Sequence, residues 1–308
     1  MNNTIKPKVA ILLATYNGEN FIDRQIRSVL SQKNVDLDLF ISDDNSEDRT
    51  MEICKIFAKF NKNIFILEKT SNRFKSAAKN FFRMILDIDL SKYDYIGFSD
   101  QDDIWKPFKI NKAINVIQSG YNAYSSNVRP FIKKKLLKTV NKSDNQVSFD
   151  YLFEGGGAGS TYLIKQFIIT NFKILLKENK WIQEKIKHHD WLLYAFTRHK
   201  YRNWFIDEKI SVYYRQHSHN ELGSSDSIKG FIKRLKLVIN GHVIKQSRLI
   251  AEAINIESSF YEKLYKSKFN GFFLICNFYK FRRSIKGKII ILIIGILLTI
   301  YPNKKTYD

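Results

Sequence analysis

The sequence predicts an α/β fold: a mixed, mainly parallel sheet flanked by helices, followed by a basic helical extension. Three observations carry this. Short unbroken apolar runs recur through the first 120 residues, as expected of strands buried on both faces. Apolar stripes at helical spacing lie between them, the alternation of parallel strands with crossover helices. The last 80 residues lose that alternation and carry 16 basic against 4 acidic residues, where residues 1–115 carry 18 against 16.

Taken in order, Val9 to Ala14 is the first strand, and Asn17-Gly18 breaks the chain after it. Ile22, Ile26, Val29 and Leu30 follow at i, i+4, i+7 and i+8, one face of a helix. Leu37 to Ser42 is a second strand, ended by Asp43-Asp44-Asn45-Ser46. Ile53, Ile56, Phe57 and Phe60 mark the next helix, with Ser46 or Asp48 as its expected N-cap. Ile64 to Leu67 is a third strand, Ala77 to Ile88 a helix, and Tyr95 to Ser99 a fourth strand. Beyond residue 120 the pattern loosens. Ala123 to Asn127 reads as a strand, Lys133 to Asn145 as a basic loop, and Gly155 to Thr161 as a glycine-rich turn. Lys165 to Leu176 and Trp191 to His199 read as helices, Trp204 to Ile206 and Ile210 to Tyr214 as two strands, and Ile228 to Tyr265 as a basic helix. The expected divisions are 1–120, 121–225 and 226–308.

Composition narrows the function classes. With 44% hydrophobic residues, 14% aromatics, 4 Pro and 13 Gly in 308 residues, the chain is neither disordered nor collagen-like. Two distant cysteines, with no CxxC, exclude a disulfide scaffold and fit a reducing, cytoplasmic compartment. The polar start and the shortness of Val9 to Ala14 predict no signal peptide. Ile289 to Tyr301 is apolar but shorter than the roughly 20 residues a spanning helix needs. Basic residues precede it, so the segment is expected to lie on an anionic membrane surface, at the cytoplasmic face; a buried core helix is the alternative. On the surface reading, deleting residues 268–308 moves the protein from the membrane pellet to the soluble fraction. The net charge of +21 also suits a nucleic-acid binder, but no reading helix or RNP-type motif accompanies it.

In open parallel sheets, ligands bind at the carboxyl ends of the strands. Here those ends carry Thr15-Tyr16-Asn17-Gly18, Asp43-Asp44 and Asp100-Gln101-Asp102-Asp103. Two carboxylates with phosphate oxygens are how Mg²⁺ or Mn²⁺ is commonly held, and Asp100 and Asp102, two apart after a strand, are the candidates. A solvated turn capping a helix is the plainer reading of the same residues. Asp43-Asp44 suits an Asx turn, or a carboxylate that accepts the imide N–H of a pyrimidine base. Tyr16 offers that base a stacking face.

The ordered set is more specific than its parts. Ala14-Thr15-Tyr16-Asn17-Gly18, Ser28-Val29-Leu30-Ser31-Gln32, Ser42 to Thr50, Phe98-Ser99-Asp100-Gln101-Asp102-Asp103-Ile104-Trp105 and Pro107 with Lys109 occur in that order. This resembles the family 2 glycosyltransferases of GT-A fold, over residues 7–120 and more loosely over 150–220. The Ser-Asp-Gln-Asp-Asp-Ile-Trp form is similar to bacterial rhamnosyltransferases and related surface-polysaccharide transferases. The resemblance implies that Thr15, Tyr16 and Asn17 line the nucleotide, that Asp44 takes the base N–H, and that Asp43 supports the loop. It implies Asp100 near the ribose and metal, and Asp102 as the direct ligand of Mn²⁺ or Mg²⁺ on the diphosphate. It places a general base in an acidic pair opening a later helix, where His188-His189-Asp190-Trp191-Leu192 stands. Asp190 is the expected base; His189 replaces the usual carboxylate and can share or take over that role. The plainer reading of Asp190 is the N-cap of the helix from Trp191. Tyr214-Arg215-Gln216-His217 matches a motif that reaches the metal or diphosphate, so Arg215 or His217 faces the phosphates, or else His217 is a surface residue. The glycines at 155–157 and 159 let backbone approach a sugar.

The implied activity is inverting, metal-dependent transfer from a nucleoside-diphosphate sugar (dTDP-rhamnose or a UDP-sugar) to a glycan acceptor, lipid-linked, in surface polysaccharide synthesis. A sugar nucleotidyltransferase is the enzymatic rival, but Thr15-Tyr16-Asn17-Gly18 lacks the basic glycine-rich loop it needs. A catalytically dead paralogue is opposed by intact Asp102 and Asp190.

Overall fold

The computed structural model describes residues 6–216 and 241–300. Strand β1 (Lys8–Thr15) is followed by helix α1 (Ile22–Leu30), β2 (Asp36–Asp43), α2 (Thr50–Phe60), β3 (Ile64–Ile66), α3 (Ala77–Asp87) and β4 (Tyr95–Ser99). These first four strands are mutually parallel, with Leu12 opposite Phe40 on one side and Phe98 on the other. The unbroken apolar run of β1 is explained by its two faces. Ala10, Leu12 and Ala14 enter one core cluster while Val9, Ile11 and Leu13 enter the other.

The second half completes the same sheet. Strand β5 (Ile104–Trp105), α4 (Lys109–Gln118), β6 (Ala123–Ile132), β7 (Lys135–Leu136), β8 (Leu163–Lys165), α5 (Gln166–Glu178), α6 (Trp181–Lys185), α7 (His189–Lys200) and β9 (Trp204–Arg215) follow. The sheet order is β3-β2-β1-β4-β8-β6-β9-β5, with β7 paired to β6. Strand β8 is antiparallel to both β4 and β6, so the sheet is mixed. The chain runs outward from β1 to β3 and returns on the other side of β1 at β4, which makes the carboxyl ends of β1 and β4 a switch point.

Several local expectations differ from the structure. Neither Ser46 nor Asp48 is the residue at the start of α2; Arg49 is, and Asp48 instead accepts the Thr50 N–H at 3.0 Å. The two strands read at 204–206 and 210–214 are one, because pairing with β6 continues through a register shift between Ser126 and Val128. The basic loop after residue 132 holds the two-residue strand β7, reached through Lys133 at φ +54°. The basic helix read to Tyr265 breaks: helix His242–Ala253 ends before Asn255, which stands at φ +53°. Its first part lies outside the described residues.

The apolar C-terminal run is helix Ile285–Ile300, packed on helix Asn270–Asn277. Gly271 and Gly295 meet at the crossing: a Cβ on Gly295 would lie 2.9 Å from the Gly271 carbonyl oxygen. Ile291, Ile294 and Leu298 join the core of the α/β unit, while the opposite face is exposed. The run is therefore half core helix and half surface. No helix among the described residues is long and apolar enough to cross a membrane.

Candidate active site

The β1–α1 loop is held by one glutamine. The Thr15 hydroxyl donates to Gln101 Oε1 at 2.6 Å, the Tyr16 N–H donates to the same oxygen at 2.8 Å, and Gln101 Nε2 donates to the Tyr16 carbonyl at 2.9 Å. Two motifs 85 residues apart in sequence are thus one surface. Asn17 takes φ +46°, donates its N–H to Ser46 Oγ and accepts from the Glu47 N–H. Asp43 accepts the Ser46 N–H at 2.8 Å and the Ser46 hydroxyl, the geometry of a loop support.

Asp44 is buried, 4% exposed. Its two oxygens accept the N–H groups of Phe74 and Lys75, the second at 2.9 Å. Arg73, from the same segment, lies 4.0 Å from Asp44 and stacks its guanidinium 3.6 Å from the Tyr16 ring centre. The face of Tyr16 read as a base platform therefore carries an arginine in this structure. Arg73 was invisible in sequence, since no spacing links it to Tyr16.

The Asp100–Asp103 loop divides its carboxylates by environment. Asp100 is half-buried and Asp102 is 8% exposed. Asp103 points inward and is fully buried, accepting the Ser160 hydroxyl at 2.8 Å and the Arg215 N–H at 3.1 Å. Burial, with Asp102 and Asp100 beside it, holds Asp103 well above the usual carboxylate range. Behind it, burial pushes the Lys109 ammonium down to about 7, and that nitrogen lies 3.6 Å from the Trp105 ring centre. Arg215 turns its Nε onto the Asp102 carbonyl at 2.8 Å, and its guanidinium sits between the Phe21 and Phe131 rings. It fastens the loop through the main chain. His217 lies outside the described residues.

Asp190 arrives from the other half. It is the second residue of α7, and His188, not Asp190, occupies the N-cap position. Asp190 Oδ1 accepts the Trp191 N–H at 2.8 Å, in the first turn where the helix dipole favours an anion. Gly159 is what admits it: a Cβ there would lie 3.1 Å from the Asp190 Cβ and 3.2 Å from His189 Nε2. Ser160, the next residue, is the partner of Asp103. The Gly159-Ser160 turn thus touches the carboxylate loop on one side and Asp190 on the other. Tyr214 spans the same space: burial and the charges of Asp103, Asp100, Asp102 and Asp190 push its phenol strongly up. The preceding glycines approach the protein's own atoms instead of open space. A Cβ at Gly156 would lie 2.6 Å from the Tyr194 ring.

His189 packs into the core beside this site, its ring stacked on Phe81 at 4.1 Å. Burial pushes its pKa down to about 4, with Asp190 opposing, and Nε2 is buried with no hydrogen-bond partner among the described residues. It is a neutral wall of the site. The linkage sign follows: between pH 6.5 and 4 the unfolded chain binds a proton that the folded chain refuses, so stability falls as pH falls through that window. The part of that loss accrued by pH 5 is on the order of 2 kcal/mol. Urea midpoints at pH 7.5 and pH 5 measure it, and His189→Gln should flatten the difference; an unchanged difference would show that another group titrates.

A divalent cation fits this donor set in chemistry, since Asp100 and Asp102 offer hard carboxylate oxygens at a strand end beside the Thr15-Tyr16 loop. Among the described residues no three His, Cys, Asp or Glu side chains form a complete cage. The diphosphate oxygens would have to supply further ligands.

Comparison with known proteins bears on the family and the fold. Residues 10–181 match the sequence profile of Glycosyl transferase family 2. The chain is 42% identical over 286 residues to the dTDP-rhamnosyl transferase RfbG of Shigella flexneri, covering 92% of this chain and 99% of that protein. It is 28% identical over 120 residues to the putative teichuronic acid biosynthesis glycosyltransferase TuaG of Bacillus subtilis, covering 39% of this chain and 46% of that one. The fold resembles the crystal structure of residues 1–349 of S. aureus TarS in complex with UDP, with a TM-score of 0.56, 14% identity, and coverage of 86% of this chain and 74% of that one. The clasp of Gln101 on Thr15-Tyr16, the divided carboxylates of 100–103 and the arrival of Asp190 beside them are carried by a chain that belongs to glycosyl transferase family 2.

Proposed function

We propose that this protein transfers rhamnose from dTDP-rhamnose, with inversion, to a glycan acceptor that is lipid-linked and presented at the cytoplasmic face of a membrane, in bacterial surface polysaccharide assembly. The observation that carries the sugar is the 42% identity to a dTDP-rhamnosyl transferase over 92% of the chain. The nucleotide lies along Thr15, Tyr16 and Asn17, with Asp44 toward the base and Asp43 bracing the loop. Asp190 accepts the proton of the acceptor hydroxyl as its oxygen attacks the anomeric carbon; the bond from that carbon to the diphosphate oxygen breaks, and dTDP departs with the electron pair. Asp102 and Asp100 would hold Mn²⁺ or Mg²⁺ on the diphosphate, which would supply Lewis-acid stabilisation of the leaving group. Arg215 keeps the carboxylate loop in shape from behind.

A UDP-sugar donor is the second reading, on the same base-facing residues. Calorimetry of the purified protein against dTDP, UDP, GDP and CDP, with and without Mn²⁺, separates the two. Tightest binding of dTDP, strengthened by Mn²⁺, is the expected result. Preference for UDP would replace the rhamnosyl donor, and no binding to any of the four would remove the reading.

A further inference from the structure

We infer that the exposed face of helix Ile285–Ile300 is a docking surface for an anionic phospholipid bilayer. Ile285, Ile289, Ile293, Ile296 and Ile300 are between 38% and 77% exposed. They stand at i, i+4, i+8, i+11 and i+15, so at 3.6 residues per turn they form one continuous stripe. A soluble helix with its other face already packed has no reason to keep five isoleucines in water. Phe272 on the companion helix and Phe269 just before it are 61% and 75% exposed.

The occupant is argued from charge. Residues 241–300 carry 10 basic and 3 acidic residues. Lys286 and Lys288 flank the first turn of the stripe, one on each side by the 100° rotation per residue. A second copy of this chain would bring the same positive charge against itself. An anionic lipid surface complements it, and its acyl boundary receives the isoleucines. At about 1.5 Å per residue the helix is about 24 Å long, too short to span the hydrocarbon core and long enough to lie along its surface.

The surface is fastened to the acceptor half. Arg283, two residues before the helix and 5% exposed, donates Nη1 to Asp150 Oδ2 and Nη2 to the Gly155 carbonyl, each at 2.7 Å. Its N–H donates to Glu154 Oε1 at 2.7 Å. Gly155 opens the glycine run that ends beside Asp190, so a bilayer held by the stripe has a fixed relation to the base. For the same reason, deleting residues 268–308 is not a clean test: it strips buried Leu274 and Phe281 from the core and leaves Asp150 and Glu154 without Arg283.

The surface names the membrane contact of the reading above and rests on it only for the purpose of docking; vesicle binding needs neither donor nor acceptor. The test uses the full chain and the variant Ile289→Glu with Ile293→Glu and Ile296→Glu, three exposed positions. Each is spun with vesicles of phosphatidylcholine alone or mixed with phosphatidylglycerol, and each is titrated with dTDP. The wild type should co-sediment with the mixed vesicles, less so at high salt, and the variant should lose at least about tenfold in vesicle affinity with unchanged dTDP binding. Wild type that stays in the supernatant, or a variant that sediments as the wild type does, overturns the proposal. So does a wild-type dimer in light scattering that the variant abolishes without any vesicle binding, since a second copy then covers the face. Vesicle binding by a wild type that fails to bind dTDP supports the surface and removes the donor reading instead.

Discussion

Asp102→Ala is expected to abolish turnover and the metal-dependent part of dTDP binding together. The loop around it should survive. Arg215 Nε holds the Asp102 carbonyl, and Asp103 keeps its bonds to Ser160 and to the Arg215 N–H. What alanine removes is a negatively charged oxygen donor at the position proposed for the diphosphate. A charge stabiliser of this type is worth about 10²–10³-fold in rate. Calorimetry with and without Mn²⁺, beside incorporation of labelled rhamnose from dTDP-rhamnose into lipid extract, measures both parts. Mn²⁺-enhanced binding of dTDP that persisted in the variant would move the metal site elsewhere.

Asp190→Asn is expected to stop transfer while leaving dTDP affinity as in the wild type. The asparagine keeps an acceptor oxygen for the Trp191 N–H, so the first turn of α7 should hold. It cannot take a proton from the acceptor hydroxyl, a loss of about 10²–10⁴-fold. Donor binding is spared because Asp190 meets the donor side only across the Gly159-Ser160 turn. Near-normal transfer by the variant would show that Asp190 is not the base, and His189, buried against Phe81, would be the next group to replace.

The donor side was legible because its signals are local. Each strand that ends in a polar motif is a short apolar run, and each run is buried on both faces, so pattern and position coincide at β1, β2 and β4. Strand β5 offered no comparable signal, being two residues long and paired with β9 more than 100 positions later; helix α4 did carry one, Ile110, Ala113, Ile114 and Ile117 at i, i+3, i+4 and i+7, and went unread all the same. Gln101 stood in view within the motif, yet nothing in its spacing says that its amide clasps Thr15 and Tyr16. Arg73 had no pattern at all, and Tyr214 stood in its motif without a role of its own.

The sequence by itself determined which polar residues the strand ends deliver to one edge of the sheet, since strand length, apolar periodicity and turn residues are local properties. Tertiary structure alone decided the rest. It turned Asp103 fully inward, where Ser160 and Arg215, 57 and 112 positions away, donate to its carboxylate. It set Asp190 against a residue without a Cβ and made His189 a wall beside it. It also split the C-terminal apolar run into a packed face and a bare one. Burial is decided by what packs against a residue, and for these side chains the packing partners come from distant parts of the chain.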